Sequence, residues 1–227
     1  MLIYGKQSIY YLIEHHPQKI EKLYLAKELD KKEYSRLMKL GFEIKRIPQN
    51  AAQIMSKNAN HQGFLADVES IERISLSDLK EPEFIVILSG LTDVGNIGAI
   101  VRTAYALGVD AIVVSGLKSL NFESIARTST GAVFDMPLIV ENNIHDVIND
   151  LKTQGFKFYG ADMDGEDIRG LHVSSKRALI LGSEGSGLSS RVIKKLDKKI
   201  KIQMHHGFDS LNVSAAGAIL IDRMRDE

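Results

Sequence analysis

The chain has 227 residues, of which 44% are hydrophobic and 26% charged; it has no cysteine, and its formal net charge is zero at pH 7. This is enough apolar material for one or two cored domains, while the lack of cysteine excludes a disulfide framework and a thiolate metal site. The charge balance carries no overall basic signature, with 11 Lys and Arg against 8 Asp and Glu in residues 1–70 and 18 against 21 in the rest.

The opening segment carries Glu14, His15 and His16 where a secretory signal needs an unbroken apolar stretch. No later run has the length of a membrane span, so a soluble cytoplasmic protein is expected. Residues 2–14 read as a helix after Gly5, with Ile9, Leu12 and Ile13 on one side, and 22–26 as a short strand. A helix over 31–40, a strand over 42–47 stopped by Pro48, a helix over 51–57 and a closing strand over 63–68 complete a small α/β unit. The polar stretch that follows ends in Glu81-Pro82-Glu83 and reads as a linker, giving expected domains of 1–70 and 83–227 joined by 71–82.

From residue 84 the pattern changes to apolar runs without alternation, the mark of strands buried on both faces of a parallel sheet. The candidates are 84–88, 111–114, 157–159, 178–181 and 199–202, separated by helical stretches at 99–107, 122–129, 144–154, 189–196 and 213–224. This alternation predicts a parallel α/β domain, in which ligands sit beyond the carboxyl ends of the strands. Lys194, Lys195, Lys198, Lys199 and Lys201 form the densest basic run; at helical spacing they offer either a phosphate-facing patch or a solvated helix face.

Three loops could carry chemistry. In the first, Gly95 and Gly98 flank Asn96, allowing a close backbone approach or a positive φ, and Arg102 follows in an otherwise apolar helix where it needs an anion or a carboxylate partner. In the second, Gly182 and Gly187 have the separation of a phosphate-binding loop and Ser189 stands where its hydroxyl belongs, but Leu188 replaces the required lysine. What is left is a tight turn with one acid, Glu184, at a strand exit. In the third, Ser210 or Asn212 caps the last helix, and His205-His206 lack the third ligand of a metal site. The glycines of a nucleophile elbow are absent around Ser210.

In order, N-x-G-A-I-x-R-T-A (Asn96 to Ala104), L-G-S-E-G-S-G-L (Leu181 to Leu188) and S-L-N-V-S-A-A (Ser210 to Ala216) resemble the SpoU/TrmH family of RNA ribose 2'-O-methyltransferases. Ile3-Tyr4-Gly5 and Asn60-His61-Gln62-Gly63 look like that family's small RNA-binding domain, related to a ribosomal protein fold. The resemblance implies an α/β parallel-sheet domain closed by a C-terminal trefoil knot, preceded by the small α/β domain, and a homodimer formed through helices beside the knot. It implies S-adenosyl-L-methionine as cofactor, held mainly by backbone groups at Gly182, Ile202, Met204 and Leu211 with Gly185 nearby. Two departures stand out: Gln203 replaces the family's proline, and His205-His206 precede a displaced Gly207.

Family analogy assigns catalysis to Arg102. Because a guanidinium stays protonated, stabilising a developing alkoxide and holding an RNA phosphate suit it better than acting as a literal base. Asn96, Glu184, Ser210 and Asn212 are expected to orient Arg102, the ribose and the cofactor. Within the family the likeness is greatest to bacterial enzymes that methylate a guanosine of 23S rRNA. The alternatives are a tRNA ribose methyltransferase and a non-catalytic RNA-binding protein on the same scaffold.

Overall fold

The computed structural model describes residues 1–206 and 209–225. Its first elements are β1 (Leu2–Tyr4), α1 (Lys6–His15), β2 (Ile20–Leu25), α2 (Lys31–Met38), β3 (Glu43–Arg46), α3 (Gln49–Met55) and β4 (Phe64–Val68). Next come β5 (Phe84–Ser89), α4 (Val94–Ala106), β6 (Ala111–Ser115), α5 (Phe122–Thr128) and β7 (Leu138–Glu141). The last are α6 (Ile144–Thr153), β8 (Lys157–Asp167), β9 (Arg177–Leu181), α7 (Ser190–Ile193), β10 (Lys198–Lys201) and α8 (Val213–Met224). They form two compact units, Met1–Glu72 with Phe122–Phe134, and Arg73–Asn121 with Asp135–Glu227.

The first unit is built on a four-stranded sheet in the order β1-β4-β2-β3. Residues 2–4, read from the sequence as helix, are a strand paired antiparallel with β4. Gly5 makes the change possible: it turns the chain at φ +106°, where a side chain would be strained, and its N–H donates to Phe64 O at 3.1 Å. The α1 face carrying Ile9, Leu12 and Ile13 is buried as its spacing requires. The segment 122–134 belongs to this unit, where Ser8 Oγ donates to Ala126 O at 2.9 Å.

The second unit holds a six-stranded, wholly parallel sheet in the order β10-β8-β9-β5-β6-β7. Every residue of β6 and β9 is buried, as continuous apolar runs demand of strands covered on both faces. β7 is an addition to the sequence reading: four residues behind Pro137 are too few to display a period. The pairing of β8 with β10 slips: Lys199 pairs with Gly160 but Ile200 pairs with Glu166, so five residues of β8 leave the ladder. Gly165 allows the return, because a Cβ there would lie 2.5 Å from the Ile200 backbone.

Two local expectations fail. Helix α4 begins at Val94, capped by Asp93 accepting from Asn96 N at 2.7 Å, so Gly95, Asn96 and Gly98 are helical and neither glycine has a positive φ. The basic run shares no helix face, since α7 stops at Ile193 and Lys198–Lys201 form a strand. Instead Lys195 donates to Asn149 Oδ1 at 2.9 Å, Lys198 pairs with Glu166 at 3.3 Å and Lys199 pairs with Asp162 at 3.6 Å. Among the described residues, no helix is long and apolar enough to cross a membrane.

Asp197 fastens the start of β10 to β8. Its carboxylate accepts from Phe158 N at 2.9 Å and pairs with Lys157 Nζ at 3.0 Å. Partial burial pushes this carboxyl up, but the Phe158 N–H and the Lys157 ammonium outweigh it and hold it below the ordinary value. Because the folded-state value is depressed, the stabilisation is present above the unfolded carboxylate range and is lost as pH falls through the folded value. Asp197→Asn is therefore expected to lower stability at neutral pH and to flatten the acid limb of the stability curve, measured by urea denaturation between pH 7 and about pH 3.

Candidate active site

The loops after β9 and β10 and the residues that leave the β8 ladder surround one cavity of about 1000 Å³, at the carboxyl ends of parallel strands where ligands bind in such sheets. Ala161 to Asp164 of β8 make one wall, and the turn after β9 supplies Ser183 and Gly185 to Leu188. Ile200 to Met204, then Asp209 to Leu211, continue around it, and Ile193, Ala216 and Leu220 contribute from the helices. The lining thus mixes aliphatic side chains with backbone and polar groups, among them Asp162, Asp164, Lys201 and Asp209, which suits a flat heteroaromatic group carrying polar and charged substituents.

Of the residues expected to hold a cofactor, Gly185, Ile202, Met204 and Leu211 line this cavity, and so does Ser210. Gly182 stands behind the lining: a Cβ there would come within 2.3 Å of the Gly187 carbonyl carbon, so the turn can close on itself only over glycine. The closure is a Ser183–Gly187 bridge, with Gly187 N donating to Ser183 O at 3.0 Å and the Ser183 and Ser186 hydroxyls 2.6 Å apart. Gly185 and Gly187 sit at φ +88° and +61°. Leu188, the residue that broke the phosphate-loop pattern, is buried in the core beneath, while Ser189 caps α7 by accepting from Val192 N at 3.3 Å.

Three of the expected polar residues meet. Asn96 Nδ2 donates to Glu184 Oε1 at 2.8 Å, and Asn212 Nδ2 donates both to Asn96 Oδ1 at 3.0 Å and to Glu184 Oε1 at 3.2 Å. Asn212 Oδ1 meanwhile caps α8, accepting from Ser214 N at 2.9 Å and from Ser214 Oγ at 2.5 Å. Glu184 is flanked by the cavity residues Ser183 and Gly185, and Asn212 follows Ser210 and Leu211, so the cluster forms a polar lip on the cavity. Arg102 is not among the residues lining it. Six residues beyond Asn96, it is about 9 Å along α4 and turned to another side of the helix, exposed.

The sequence reading missed Asp162, Met163 and Asp164, whose place in the wall follows from the register slip. Gly165 was the available signal, a glycine inside an extended run. Gly207, named above as displaced, lies outside the described residues. Gln203 turns its amide onto its own chain, donating to Met204 O at 3.1 Å.

The two ends of the Asn212 carboxamide can be separated experimentally. Asn212→Asp keeps the capping oxygen but places a second carboxylate against Glu184, whereas Asn212→Ala removes both functions and is expected to cost about 1 kcal/mol through the cap alone. Hydrogen exchange of the Gly187 amide is expected to quicken in both variants. Protection unchanged in both would show that the cluster does not hold the 182–187 turn.

Comparison with known proteins divides the chain after residue 73, with the second match running through 122–134, which pack in the first unit. Residues 83–222 match the model of the SpoU rRNA Methylase family, and residues 2–73 match that of the RNA 2'-O ribose methyltransferase substrate-binding domain. A Staphylococcus aureus protein of the TrmH family of tRNA/rRNA methyltransferases is 32% identical over 223 residues, covering 92% of this chain and 89% of its own. Two crystal structures solved with AdoMet share the fold at 23% identity. The SpoU methyltransferase AviRb of Streptomyces viridochromogenes has a TM-score of 0.81 over 98% of this chain and 88% of its own. An rRNA methyltransferase of Sinorhizobium meliloti has a TM-score of 0.78 over 98% and 85%. Sequence motifs, family models and the Staphylococcus aureus relative agree, and the chain belongs to the SpoU/TrmH family of RNA methyltransferases.

Proposed function

We propose that this protein transfers a methyl group from S-adenosyl-L-methionine to a ribose 2'-hydroxyl, that of a guanosine in 23S rRNA, in the cytoplasm. In this reading residues 1–70 bind the RNA, 71–82 are a linker, and 83–227 form the catalytic domain with its C-terminal trefoil knot. The observation that carries it is the convergence of Asn96, Glu184 and Asn212, from three distant segments, on the lip of a cavity that joins aliphatic and polar walls. The rRNA assignment draws on the family model for residues 83–222 and on the rRNA methyltransferase among the structural neighbours.

The cavity fits the cofactor by its own chemistry. Ile202, Met204 and Leu211 offer an apolar slot, and the turn at 182–187 brings Gly185 and Gly187 to the space, where no side chain stands in front of the main chain. When bound, S-adenosyl-L-methionine supplies an electrophilic methyl group on a sulfonium centre.

The protein's part is alignment and charge. Asn96 and Asn212 fix Glu184, and Ser210 extends the polar lip toward the sugar. Arg102, exposed on α4 outside the cavity lining and without a carboxylate partner among the described residues, is free to take an RNA phosphate and, where the bound RNA brings its ribose against it, to stabilise the oxyanion that develops as the 2'-hydroxyl gives up its proton to water. A homodimer is part of the same reading: α4 packs on α8, and Tyr105 and Ile219 on these helices remain 43% and 38% exposed.

Purified protein incubated with unmodified rRNA and tRNA and with labelled cofactor, followed by mass spectrometric mapping of the methylated nucleoside, tests substrate and position together. Arg102→Ala is expected to slow single-turnover methyl transfer about a hundredfold or more while leaving cofactor affinity by calorimetry unchanged. An undiminished rate would remove Arg102 from the mechanism. Ile219→Glu is expected to shift the sedimentation coefficient from dimer to monomer.

A further inference from the structure

Residues 49–62 carry six carboxamides, at positions 49, 50, 53, 58, 60 and 62, with one lysine and no acid. The segment leaves α3 and folds over a polar hollow of about 390 Å³ in the first unit, lined by Gln49, Gln53, Asn58, Asn60, His61 and Gln62 among others. The backbone is bent to build it: Lys57, Asn58 and Gln62 have φ of +53°, +63° and +55°, a region that non-glycine residues enter at a cost. Such a conformation persists only where neighbours over-determine it.

His61 is the principal neighbour. It is only 5% exposed; its Nδ1 accepts from Gly63 N at 3.0 Å, which leaves Nε2 as the donor to Gln53 Oε1 at 3.2 Å. Ser56 Oγ donates toward Gln53 O and Ala59 O, and Gln62 Oε1 accepts from Lys6 N at 3.0 Å. The frame is thus fixed. The carboxamides of Asn58 and Asn60 are exposed and have no hydrogen-bond partner among the described residues.

We propose that this hollow reads the edge of an unpaired nucleobase in the RNA substrate, an inference that rests on the reading of the chain as an RNA methyltransferase. A carboxamide presents a donor and an acceptor side by side, the pattern that complements a base edge, whereas a phosphate would call for the cations that the lining lacks. Cations stand next to it instead. Lys57 is in the segment, and Lys27 lays its methylenes against Gly63, where a Cβ would lie 2.7 Å from Lys27 Cγ. Lysines beside the hollow can hold the RNA backbone while the amides inspect the base. A paired A-form helix keeps its most distinctive base edges in a deep, narrow major groove that side chains cannot read, so the ligand is a splayed base in a loop, bulge or end.

The test uses the full chain with short single-stranded RNA oligonucleotides of each base and a blunt RNA duplex, following side-chain carboxamide resonances by heteronuclear NMR and affinity by fluorescence anisotropy. At least one single strand is expected to move the carboxamide signals of residues 49–62, and the duplex is not. Asn58→Gly, which preserves the left-handed backbone, combined with Asn60→Ala, is expected to weaken that binding roughly tenfold while cofactor affinity is unchanged. No response to any single strand, an equal response to the duplex, or full affinity in the double variant overturns the proposal. Methyl transfer to rRNA measured on the same preparations separates the two readings. Transfer without a carboxamide response defeats the base site alone, and a base-selective response without transfer supports the site and defeats the enzymatic reading.

Discussion

Asn212 turns its carboxamide oxygen to the Ser214 N–H and its nitrogen to Asn96 and Glu184, so one side chain both starts α8 and ties it to the first turn of α4 and to the turn after β9. An aspartate could cap as well but could not donate, and a serine could not span both partners. The rest of the cavity depends on this geometry. Glu184 sits at the tip of a turn whose only covalent supports are glycines and serines, and Asn96 approaches from the first turn of a helix that packs on α8. A tight turn and two helix starts become one surface because their side chains hydrogen-bond to one another.

Much of the fold was legible because the physics that sets it is local and periodic. The three central strands β5, β6 and β9 were visible as unbroken apolar runs, and α8 falls at the residues its spacing predicts. Short elements escaped: β1 merges with α1 in an apolar stretch that Gly5 divides, and β7 is too brief to show a pattern. The start of α4 was placed late because Gly95 and Gly98 suggested a loop, whereas Asp93 supplies a cap strong enough for the helix to run through both.

For the site, motifs in chain order named the residues that meet, but not how they meet. Nothing in the spacing says that Asn96 bonds Glu184, 88 residues away, or that the wall of the cavity comes from inside β8. The lysine run shows the converse failure. Its charges looked available on a sequence, yet Glu166, Asp162 and Asn149, from other elements, occupy three of them. Pairing across the sheet, a non-local fact, decides whether a charge faces a ligand or a neighbour.

The slip between β8 and β10 has a further consequence. The ladder is in register on either side of the excursion, at Gly160 with Lys199 and again at Glu166 with Ile200, so Ala161 to Asp164 face the cavity outside the ladder, with Asp162 still paired to Lys199. Substitution at 161–164 leaves both flanking pairs untouched, whereas Gly165, pressed against the Ile200 backbone, must stay without a side chain. Selection can therefore reshape the outer wall of the ligand space, including its two aspartates, without renegotiating the hydrogen-bonded framework that supports it.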